Sequence, residues 1–533
     1  SRCPTNMNQL SQIRRHRPKY VYRRLFWTFL FIGNDDANNK QILKLEYVVV
    51  HLDLKGAPPK LAYLKSILPT LKKHGVNGLL IEYEDMFPYE GKLKKLRAVH
   101  CYKKKELHDY LTAAVSYGFE IIPLVQTFGH LEFALKLKTF ARLREVPEFQ
   151  DAICPSSIES RKFLRNMLQQ VIDFHKKIAP LKHIHVGCDE VFHLNNCSLS
   201  LTSHVDFVIN TVHSLSTDSI VLIWDDMYRD VKPIQTSSIK FDNAEVVYWD
   251  YTPTLHEVTH TNMYKYNKMF DNLWVATAFK GADERSQILP HIKTRFYNHL
   301  FWLNFIFNYN TMRNFYRVKG IILTGWSRYN HTAPMCELFP ASIHSLILNL
   351  ILIEQYKKGI VVQDLAHVND FVNKHIRSNL AYSLHCEKRI HFLESFDARS
   401  CIYDESDLYI VLQNLSNKTS VIKSILAANA YKYLYGTKNN VLFKAEYEYV
   451  NRIQAHINLC LQIYDELPSI EDQLVGLLTD YYENYVIKEY VRTRIHHLNK
   501  TITNMIALTK FKDFIQGKIN GSTSIQNWNK TRK

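Results

Sequence analysis

The sequence predicts an α/β protein built on a (β/α)8 TIM barrel, with a C-terminal extension that is mainly α-helical. Three observations predict this fold class. Eight short apolar runs follow one another between residues 47 and 326, and most neighbouring runs are separated by a segment with helical spacing. Most of the runs also end in polar or tryptophan residues, and the strand ends of such a barrel share one face.

The apolar runs have the length of strands and are bounded by polar residues, glycine or proline. The predicted strands cover residues 47–53, 78–85, 120–126, 183–190, 220–226, 246–251, 274–279 and 320–326. After the first strand, helical spacing is seen at Leu61, Leu64, Leu68 and Leu71. Two further helices are predicted over about 104–117 and about 157–178. We therefore assign residues 43–357 to the barrel.

Polar or tryptophan side chains stand at the C-terminal ends of seven of the eight predicted strands. They are Asp53, Glu84, Gln126, Asp189, Glu190, Trp224, Asp225, Trp249, Asp250 and Trp326. The active site of a TIM barrel lies at this end of the strands, whichever reaction the enzyme catalyses. The pattern therefore predicts a functional site there.

Residues 358–516 are predicted to form a C-terminal helical region, although residues 360–435 give little signal. Apolar residues then recur at helical spacing at Phe443, Tyr447, Val450, Ile453, Ile457, Cys460 and Tyr464. Pro468 is predicted to end this helix, and Ser469 with Asp472 resembles a capping box that begins another. We expect an antiparallel helical pair that packs on itself or on the barrel.

The formal net charge of +16 is concentrated at the two ends of the chain. Residues 1–24 contain seven Lys or Arg and no acid, and residues 491–533 contain nine and one acid, so the residues between them carry +1. Basic ends could contact nucleic acid or anionic lipid, but no nucleic-acid motif accompanies them. We predict solvated tails, a disordered one over 517–533, and no nucleic-acid partner; a homodimer stays possible.

The composition is that of a globular protein, with 46% hydrophobic and 22% charged residues. An aromatic content of 13% suits a sugar-binding cleft as well as an ordinary core. The nine cysteines show no metal-ligand spacing, and their odd number argues against a complete disulfide framework. We predict no metal site and no cofactor.

Residues 1–42 are predicted to form a basic tail that includes a short apolar segment, residues 25–32. Eight residues are too few to span a bilayer, which takes about 20. They could be the apolar region of a signal sequence, but no small-residue cleavage site follows. Membrane contact is therefore left open.

The adjacent acids Asp189 and Glu190 are the most informative pair in the chain. Two like charges at the end of an apolar strand repel each other and resist loss of water, so they are unfavourable for stability. Acid-rich sites with several tryptophans and no phosphate loop are typical of carbohydrate binding. Glycoside hydrolysis usually uses two carboxylates on opposite sides of the bond, and a sequence-adjacent pair suggests a substrate-assisted scheme instead.

These residues resemble a known family. The segment from His185 to Glu190 resembles the H-x-G-x-D-E signature of family 20 glycoside hydrolases, the β-N-acetylhexosaminidases. Residues 51–60, 79–91, 123–130, 224–227, 278–282 and 323–326 extend the resemblance to the hexosaminidase D subgroup. The match covers roughly residues 45–350 and does not reach the N-terminal tail or the C-terminal helices.

The resemblance implies a retaining exo-β-N-acetylhexosaminidase that removes terminal GalNAc or GlcNAc from glycans. Glu190 would be the general acid/base and Asp189 would hold the 2-acetamido group, whose carbonyl oxygen is the nucleophile. His130 would support the acid, and His185 is the signature histidine. Further expected substrate contacts are Trp224, Trp249 and Trp326 around the acetamido group, Tyr251 on its oxygen, Glu337 and Arg328 on outer hydroxyls, and the strand-end residues Glu84, Gln126 and Asp225.

The sequence departs from the wider family at two places. Better-known members carry an Arg after the first strand for the sugar hydroxyls, whereas this chain offers Asp53 and Lys55. Lys is a point donor and not a fork, so we expect hydroxyl recognition to differ. The common Trp-x-Gly-Glu after the last strand is replaced by Gly-Trp-Ser-Arg, which leaves the acidic role to Glu337.

Two other interpretations stand beside an active enzyme. One is a catalytically inactive glycan-binding barrel, and the other is a scaffold that uses the C-terminal helices. The resemblance implies a cytoplasmic and nuclear protein, while the basic and then apolar start leaves a Golgi or secreted form open. Glycosylation sequons occur at Asn196, Asn330, Asn414, Asn417, Asn499, Asn520 and Asn529.

Overall fold

The fold is a closed barrel of eight parallel strands that are paired in chain order. The computed structural model describes residues 43–194, 200–236, 239–309, 318–387, 393, 396–427 and 447–505. The strands are β1 (Tyr47–Asp53), β2 (Gly78–Glu82), β3 (Glu120–Leu124), β4 (His183–His185), β5 (Ile220–Trp224), β6 (Ala244–Trp249), β7 (Leu273–Lys280) and β8 (Val318–Gly325). The predicted (β/α)8 class is confirmed. The predictions for residues 1–42 and 517–533 lie outside the described residues.

Strand register closes the barrel and brings all C-terminal strand ends to one face. Val50 of β1 pairs with Leu79 of β2 on one side and with Leu323 of β8 on the other. β4 is shorter than the predicted run 183–190, because the backbone turns into the left-handed region at Gly187 and Cys188. Residues 186–190 therefore form a loop above the strand.

Helices surround the barrel and continue beyond it. Those up to residue 357 are α1 (Leu61–Ser66), α2 (Leu68–Lys73), α3 (Lys104–Ser116), α4 (Glu132–Leu135), α5 (Ile158–Lys176), α6 (Leu201–Leu215), α7 (Pro233–Thr236), α8 (His260–Met269), α9 (Ile292–Tyr309) and α10 (Ile343–Lys357). The others are α11 (Val368–Phe371), α12 (Arg377–Ser383), α13 (Ser406–Ala427), α14 (Tyr447–Leu478) and α15 (Asn484–Val491). One π-helical turn, Val372–Ile376, joins α11 to α12, and another, Arg492–His496, follows α15.

Two apolar cores hold the barrel. The interior core consists of Val49, Leu80, Ile122, Leu124, Leu222, Trp224, Val247, Trp274, Ala276 and Ile322. The larger core fills the space between the strands and the outer helices and continues into the C-terminal helices. Burying each large apolar side chain contributes roughly 1.5–3 kcal/mol, so together these cores supply most of the driving force for folding.

The C-terminal helices differ from the predicted pair. α14 runs without interruption through Pro468, so the predicted end of a helix at this proline is wrong. Proline inside a helix costs about 3 kcal/mol, but the buried face formed by Leu467, Ile470, Leu474 and Leu478 offsets this cost. α14 packs against α13, which lies in the segment that gave little sequence signal.

A disulfide joins Cys386 to Cys401 in the C-terminal helical region. It closes a loop whose two cysteines are 15 positions apart in the sequence. Among the described residues, no helix is both long enough and apolar enough to cross a membrane.

Candidate active site

A cavity of about 190 Å³ opens at the C-terminal ends of the strands. Its walls are formed by Lys55, His130, Asp189, Glu190, Trp224, Trp249, Tyr251, Gly281, Ala282, Trp326, Arg328 and Tyr329. Nine of the predicted site residues are thus brought together, although they come from six different strand ends or loops. Gly281, Ala282 and Tyr329 complete the wall and were not predicted as site residues.

The loop after β4, which carries Asp189 and Glu190, has an unusual backbone conformation. Gly187, Cys188 and Glu190 all have positive φ angles of 68°, 69° and 46°. A non-glycine residue in this region costs on the order of 1–3 kcal/mol, and such residues cluster at functional sites. A Cβ at Gly187 would lie 1.8 Å from Gln126 Oε1, so another residue here would have to displace the Gln126 side chain and adopt a strained φ.

His130 bridges the two carboxylates. Its Nε2 lies 3.5 Å from Asp189 Oδ2 and 3.3 Å from Glu190 Oε2. Burial disfavours the charged imidazole, but the two neighbouring carboxylates outweigh it and raise the pKa of His130 to about 10. His130 is therefore a cation at neutral pH, and it too has a positive φ, of 52°.

Asp189 lies deep in the cavity and Glu190 lies near its mouth. The side chain of Asp189 is 9% exposed, whereas that of Glu190 is 40% exposed. Burial raises the pKa of Asp189 to about 6, against the opposing effect of His130. Asp189 Oδ1 is a buried acceptor without a hydrogen-bond partner among the described residues, and such an atom is costly unless a ligand satisfies it.

Asp226, and not the predicted Asp225, supports this loop. Asp226 Oδ2 accepts the Glu190 backbone N–H at 2.8 Å, and its Oδ1 accepts the Trp249 indole N–H at 3.1 Å. Burial and the nearby Asp189 raise the pKa of Asp226 to about 7. Asp225 points away from the cavity, because Arg229 holds its carboxylate with two hydrogen bonds of 2.7 Å.

Four aromatic side chains form the cavity walls. Trp249 and Tyr251 are stacked with ring centroids 5.1 Å apart, and Trp224 lies 6.0 Å from Trp326. The buried Trp224 indole N–H has no partner among the described residues. Burial raises the pKa of Tyr251, so its hydroxyl keeps its proton. These walls combine flat apolar faces with donors, which suits a sugar derivative.

His185 lies beneath the cavity and not on its wall. It is fully buried, and its Nδ1 accepts the Gly187 backbone N–H at 3.0 Å. Its ring centroid is 4.3 Å from that of Trp224. Burial lowers the pKa of His185 to about 3, so the ring is neutral and braces the turn that carries Asp189.

Lys55 reaches the cavity from the loop after β1 and is surrounded by carboxylates. Its Nζ lies 2.9 Å from Glu82, 3.4 Å from Asp53 and 3.5 Å from Glu84. Burial opposes its charge, but these three acids raise the pKa of Lys55. Gln126 donates to Glu82 at 3.4 Å. Asp53, Glu84 and Gln126 thus support Lys55 and do not line the cavity.

Glu82 is a member of this cluster that was not predicted. It is fully buried, at the end of β2, and His51 Nε2 lies 3.3 Å from it. Burial opposes its charged form, but Lys55 and His51 lower the pKa of Glu82. A glutamate inside an apolar strand run was the signal that could have identified it.

Glu337 and Arg328 occupy different positions. Glu337 is buried behind the cavity wall, where it accepts the Gly281 backbone N–H at 3.0 Å. Burial, followed by the nearby Asp283, raises the pKa of Glu337 to about 7. Arg328 lines the cavity, but its guanidinium is hydrogen-bonded to protein groups, including Glu489 of α15 at 2.7 Å. Among the described residues, no group of three His, Cys, Asp or Glu side chains could hold a metal ion.

The chain is similar to curated proteins and to solved structures. It is 42% identical over 317 residues to the human protein named hexosaminidase D, which covers 56% of this chain and 63% of the human protein. It is 41% identical over 321 residues to the bovine protein of the same name, which covers 57% of this chain and 90% of the bovine protein. The chain thus spans less than two thirds of the human relative's length. No protein-family model matches the sequence.

Among solved structures, the β-N-acetylhexosaminidase from Bacteroides fragilis is similar over 62% of this chain and 69% of that chain. The two share 13% sequence identity, with a TM-score of 0.43.

Proposed function

Because this chain belongs to the hexosaminidase D family of glycoside hydrolases, we propose that it is a retaining exo-β-N-acetylhexosaminidase. It removes terminal non-reducing GalNAc or GlcNAc from glycoconjugates, and the 2-acetamido group of the substrate acts as the nucleophile. The observation that carries this proposal is Asp189, whose buried Oδ1 has no partner among the described residues. An acetamido N–H is a donor of the kind that this oxygen lacks.

The two carboxylates have separate tasks in this mechanism. Asp189 accepts the acetamido N–H and orients the carbonyl oxygen towards the anomeric carbon. Glu190, at the mouth of the cavity, protonates the glycosidic oxygen as the bond to the leaving group breaks. The carbonyl oxygen forms the new bond at the anomeric carbon and gives an oxazolinium ion within the sugar.

The second half of the reaction restores the enzyme. Glu190 takes a proton from a water molecule, whose oxygen attacks the anomeric carbon and reopens the oxazolinium ring. Two inversions at the anomeric carbon give net retention. His130 remains a cation throughout and limits the repulsion between Asp189 and Glu190, which would otherwise rise whenever both are ionised.

The cavity volume supports removal of a single terminal sugar. About 190 Å³ is below the roughly 300–1,000 Å³ of pockets that enclose drug-sized ligands. One N-acetylated sugar ring can be enclosed between Trp224, Trp249, Tyr251 and Trp326. The next sugar must then lie outside, beyond the exposed Glu190.

The activity is tested with aryl β-N-acetylgalactosaminide and aryl β-N-acetylglucosaminide between about pH 4 and 8. We expect release of the aryl alcohol from at least one, with initial retention of the β anomer detected by NMR. Binding of the N-acetylated sugar without turnover would instead identify an inactive glycan-binding barrel. If the folded protein neither binds nor hydrolyses the N-acetylated sugars, both interpretations are refuted.

The mechanism is tested by comparing Asp189→Asn with Glu190→Gln. Loss of Glu190 should slow the hydrolysis of substrates with poor leaving groups by about 10²–10⁴-fold, the usual contribution of a general acid. It should slow the hydrolysis of activated aryl glycosides far less. Loss of Asp189 should slow both, because it acts on the nucleophile. A thiazoline analogue of the oxazolinium ion should inhibit strongly. Full aryl-glycoside turnover by Asp189→Asn and no inhibition by the thiazoline would refute substrate assistance.

For the compartment, the Cys386–Cys401 disulfide supports a Golgi or secreted form over a cytoplasmic and nuclear one. Disulfides persist in oxidising compartments and are rare in the cytosol. The test is intact mass of the protein purified from its own cells, alkylated without reduction and treated with a glycosidase for Asn-linked glycans. Free thiols at both positions and no mass loss on glycosidase treatment would favour the cytoplasmic and nuclear interpretation instead.

A further inference from the structure

The C-terminal segment 479–494 contacts the active-site face of the barrel at four loops. After β1, Lys60 donates its backbone N–H to Tyr481 O at 2.7 Å. After β2, the ring of His100 stacks on Tyr485 with centroids 3.3 Å apart. Arg494 contacts the loops after β7 and β8, and Glu489 contacts the loop after β8 through Arg328. This segment therefore covers the side of the barrel from which Lys55 and Trp326 enter the cavity.

Arg494 joins the loops after β7 and β8. It is buried, and its guanidinium donates to the backbone carbonyl of Ser286 at 2.8 Å and to that of Met335. Nearby, the Tyr482 hydroxyl accepts the Phe339 backbone N–H at 3.3 Å. Backbone carbonyls of two separate loops are thus fixed by one side chain of the C-terminal segment.

Arg328 has all of its hydrogen-bond donors engaged by the protein. A guanidinium carries five N–H groups. Nε donates to Lys55 O at 2.8 Å, and Nη1 donates to Ala333 O at 2.7 Å and to Glu489 Oε1 at 2.7 Å. Nη2 donates to Gly56 O at 3.4 Å and to Glu489 Oε2 at 2.9 Å. No N–H remains for a sugar hydroxyl.

The Glu489–Arg328 pair is the point where the C-terminal segment reaches the cavity. Its two parallel hydrogen bonds are the bidentate arrangement that fixes a guanidinium most firmly. The Arg328 side chain is 5% exposed and that of Glu489 is 28% exposed, so water competes weakly for them. Through Arg328, Glu489 is connected to the backbone that carries Lys55 and to the loop that follows Trp326.

We propose that Glu489 is a positioning residue for the active site, and that it acts by holding Arg328 as a link between the loops after β1 and β8. Arg328 is then a second positioning residue and not a ligand for the sugar. The part of this proposal that concerns substrate rests on the proposed function. The family resemblance does not extend to the C-terminal helices. In this proposal they help to position the loops of the active site.

The test compares Glu489→Gln, Arg328→Gln and the double variant with Glu471→Gln. Glu471 is a matched control because it pairs at 3.1 Å with His496 within the C-terminal helices. We expect Glu489→Gln and Arg328→Gln each to raise KM and to lower kcat/KM by about 10–100-fold, as small misplacements in a site do. The kcat/KM of the double variant should be no lower than that of the less active single variant. The kcat/KM of Glu471→Gln should equal that of the wild type.

Hydrogen exchange gives a readout that does not need turnover. Amides of residues 54–57 and 326–335 should exchange faster in Glu489→Gln than in the wild type or in Glu471→Gln. If Glu489→Gln does not fold, Glu489→Asp keeps the charge but shortens the side chain, and it should show the same changes at smaller amplitude.

Unchanged exchange and unchanged KM in Glu489→Gln would overturn the proposal. A raised KM in Arg328→Gln together with an unchanged KM in Glu489→Gln would also overturn it, because Arg328 would then contact the substrate directly. A wild type that does not turn over either aryl glycoside would refute the proposed function, and the exchange experiment would still decide whether Glu489 positions these loops.

Discussion

Replacing His130 with Gln removes the cation between Asp189 and Glu190 and keeps a side chain that can donate a hydrogen bond. In the wild type, His130 Nε2 lies 3.5 Å from Asp189 and 3.3 Å from Glu190. Loss of a positive charge favours the protonated form of a neighbouring acid. The pKa of Asp189, which is about 6 in the presence of His130, must therefore rise in the variant.

The magnitude follows from the distances. Two unit charges 4 Å apart interact by about 4 kcal/mol at an effective dielectric constant of about 20. This corresponds to about 3 pKa units at 1.36 kcal/mol per unit, and a nearby opposite charge typically shifts the pKa of an acid by about 1–3 units. In the proposed mechanism Asp189 must be ionised to accept the acetamido N–H, so the acidic limb of kcat/KM should move from about pH 6 to about pH 7–9.

The assay is the pH dependence of kcat/KM for an activated aryl N-acetylhexosaminide, in which protonation of the leaving group matters least. At pH 6 even a one-unit shift lowers the ionised fraction of Asp189, and with it kcat/KM, by about fivefold. Much of this loss should be recovered at higher pH. His204→Gln is the control, because burial lowers the pKa of His204 to about 4 and its ring is neutral. A loss of equal size at every pH, or an acidic limb that does not move, would refute the reasoning.

The same charge affects stability. The pKa of His130 is raised from 6.5 to about 10, so its stabilising contribution is full below about pH 6.5 and is lost as the pH rises through 10. The difference in Tm between the wild type and His130→Gln should therefore be largest near pH 6 and should decrease towards pH 10. A difference that grows with pH would contradict this.

Three further predictions concern two residues near the site and the disulfide of the C-terminal helical region. Gly187→Ala should lose most activity while remaining folded, because a φ of 68° is strained for alanine and the added Cβ would displace Gln126. Circular dichroism and kcat check this, and a wild-type kcat would contradict it. Asp225→Asn should lower the unfolding free energy measured in urea by about 3–5 kcal/mol, since Arg229 would be left with an uncompensated charge; a change below 1 kcal/mol would be too small. Cys386→Ser should lower it by about 3 kcal/mol, the loop-closure value for about 15 residues, whereas no change under oxidising conditions would count against the disulfide.

The barrel could be predicted from the sequence because its strands are buried on both faces. Continuous apolar runs that end in polar residues report both a strand and the face on which it ends. The placement of Asp189, Trp249 and Trp326 at one cavity follows from this rule alone. The resemblance to a family then supplied roles that no periodicity contains.

Side-chain direction beyond a strand end could not be predicted. Asp225 and Asp226 are adjacent and chemically equal, and only the turn after β5 decides that Asp226 supports the loop after β4 while Asp225 binds Arg229. The Glu489–Arg328 pair joins residues 161 positions apart, and no local pattern records such a contact. Pro468 was misinterpreted because tertiary packing of α14 outweighed a local helix-breaking preference.

The contacts between the C-terminal segment and the barrel set the order in which the enzyme can be completed during synthesis. Lys60 Nζ donates to Thr479 O, across 419 positions of sequence. At about 5–20 residues per second, roughly 20–80 s separate the emergence of these two residues from the ribosome. All eight strands have been made before the residues that fasten the loops after β1 and β8 exist. We expect nascent chains arrested before residue 479 to be cut by protease at these loops, and chains extended well past residue 494 to resist.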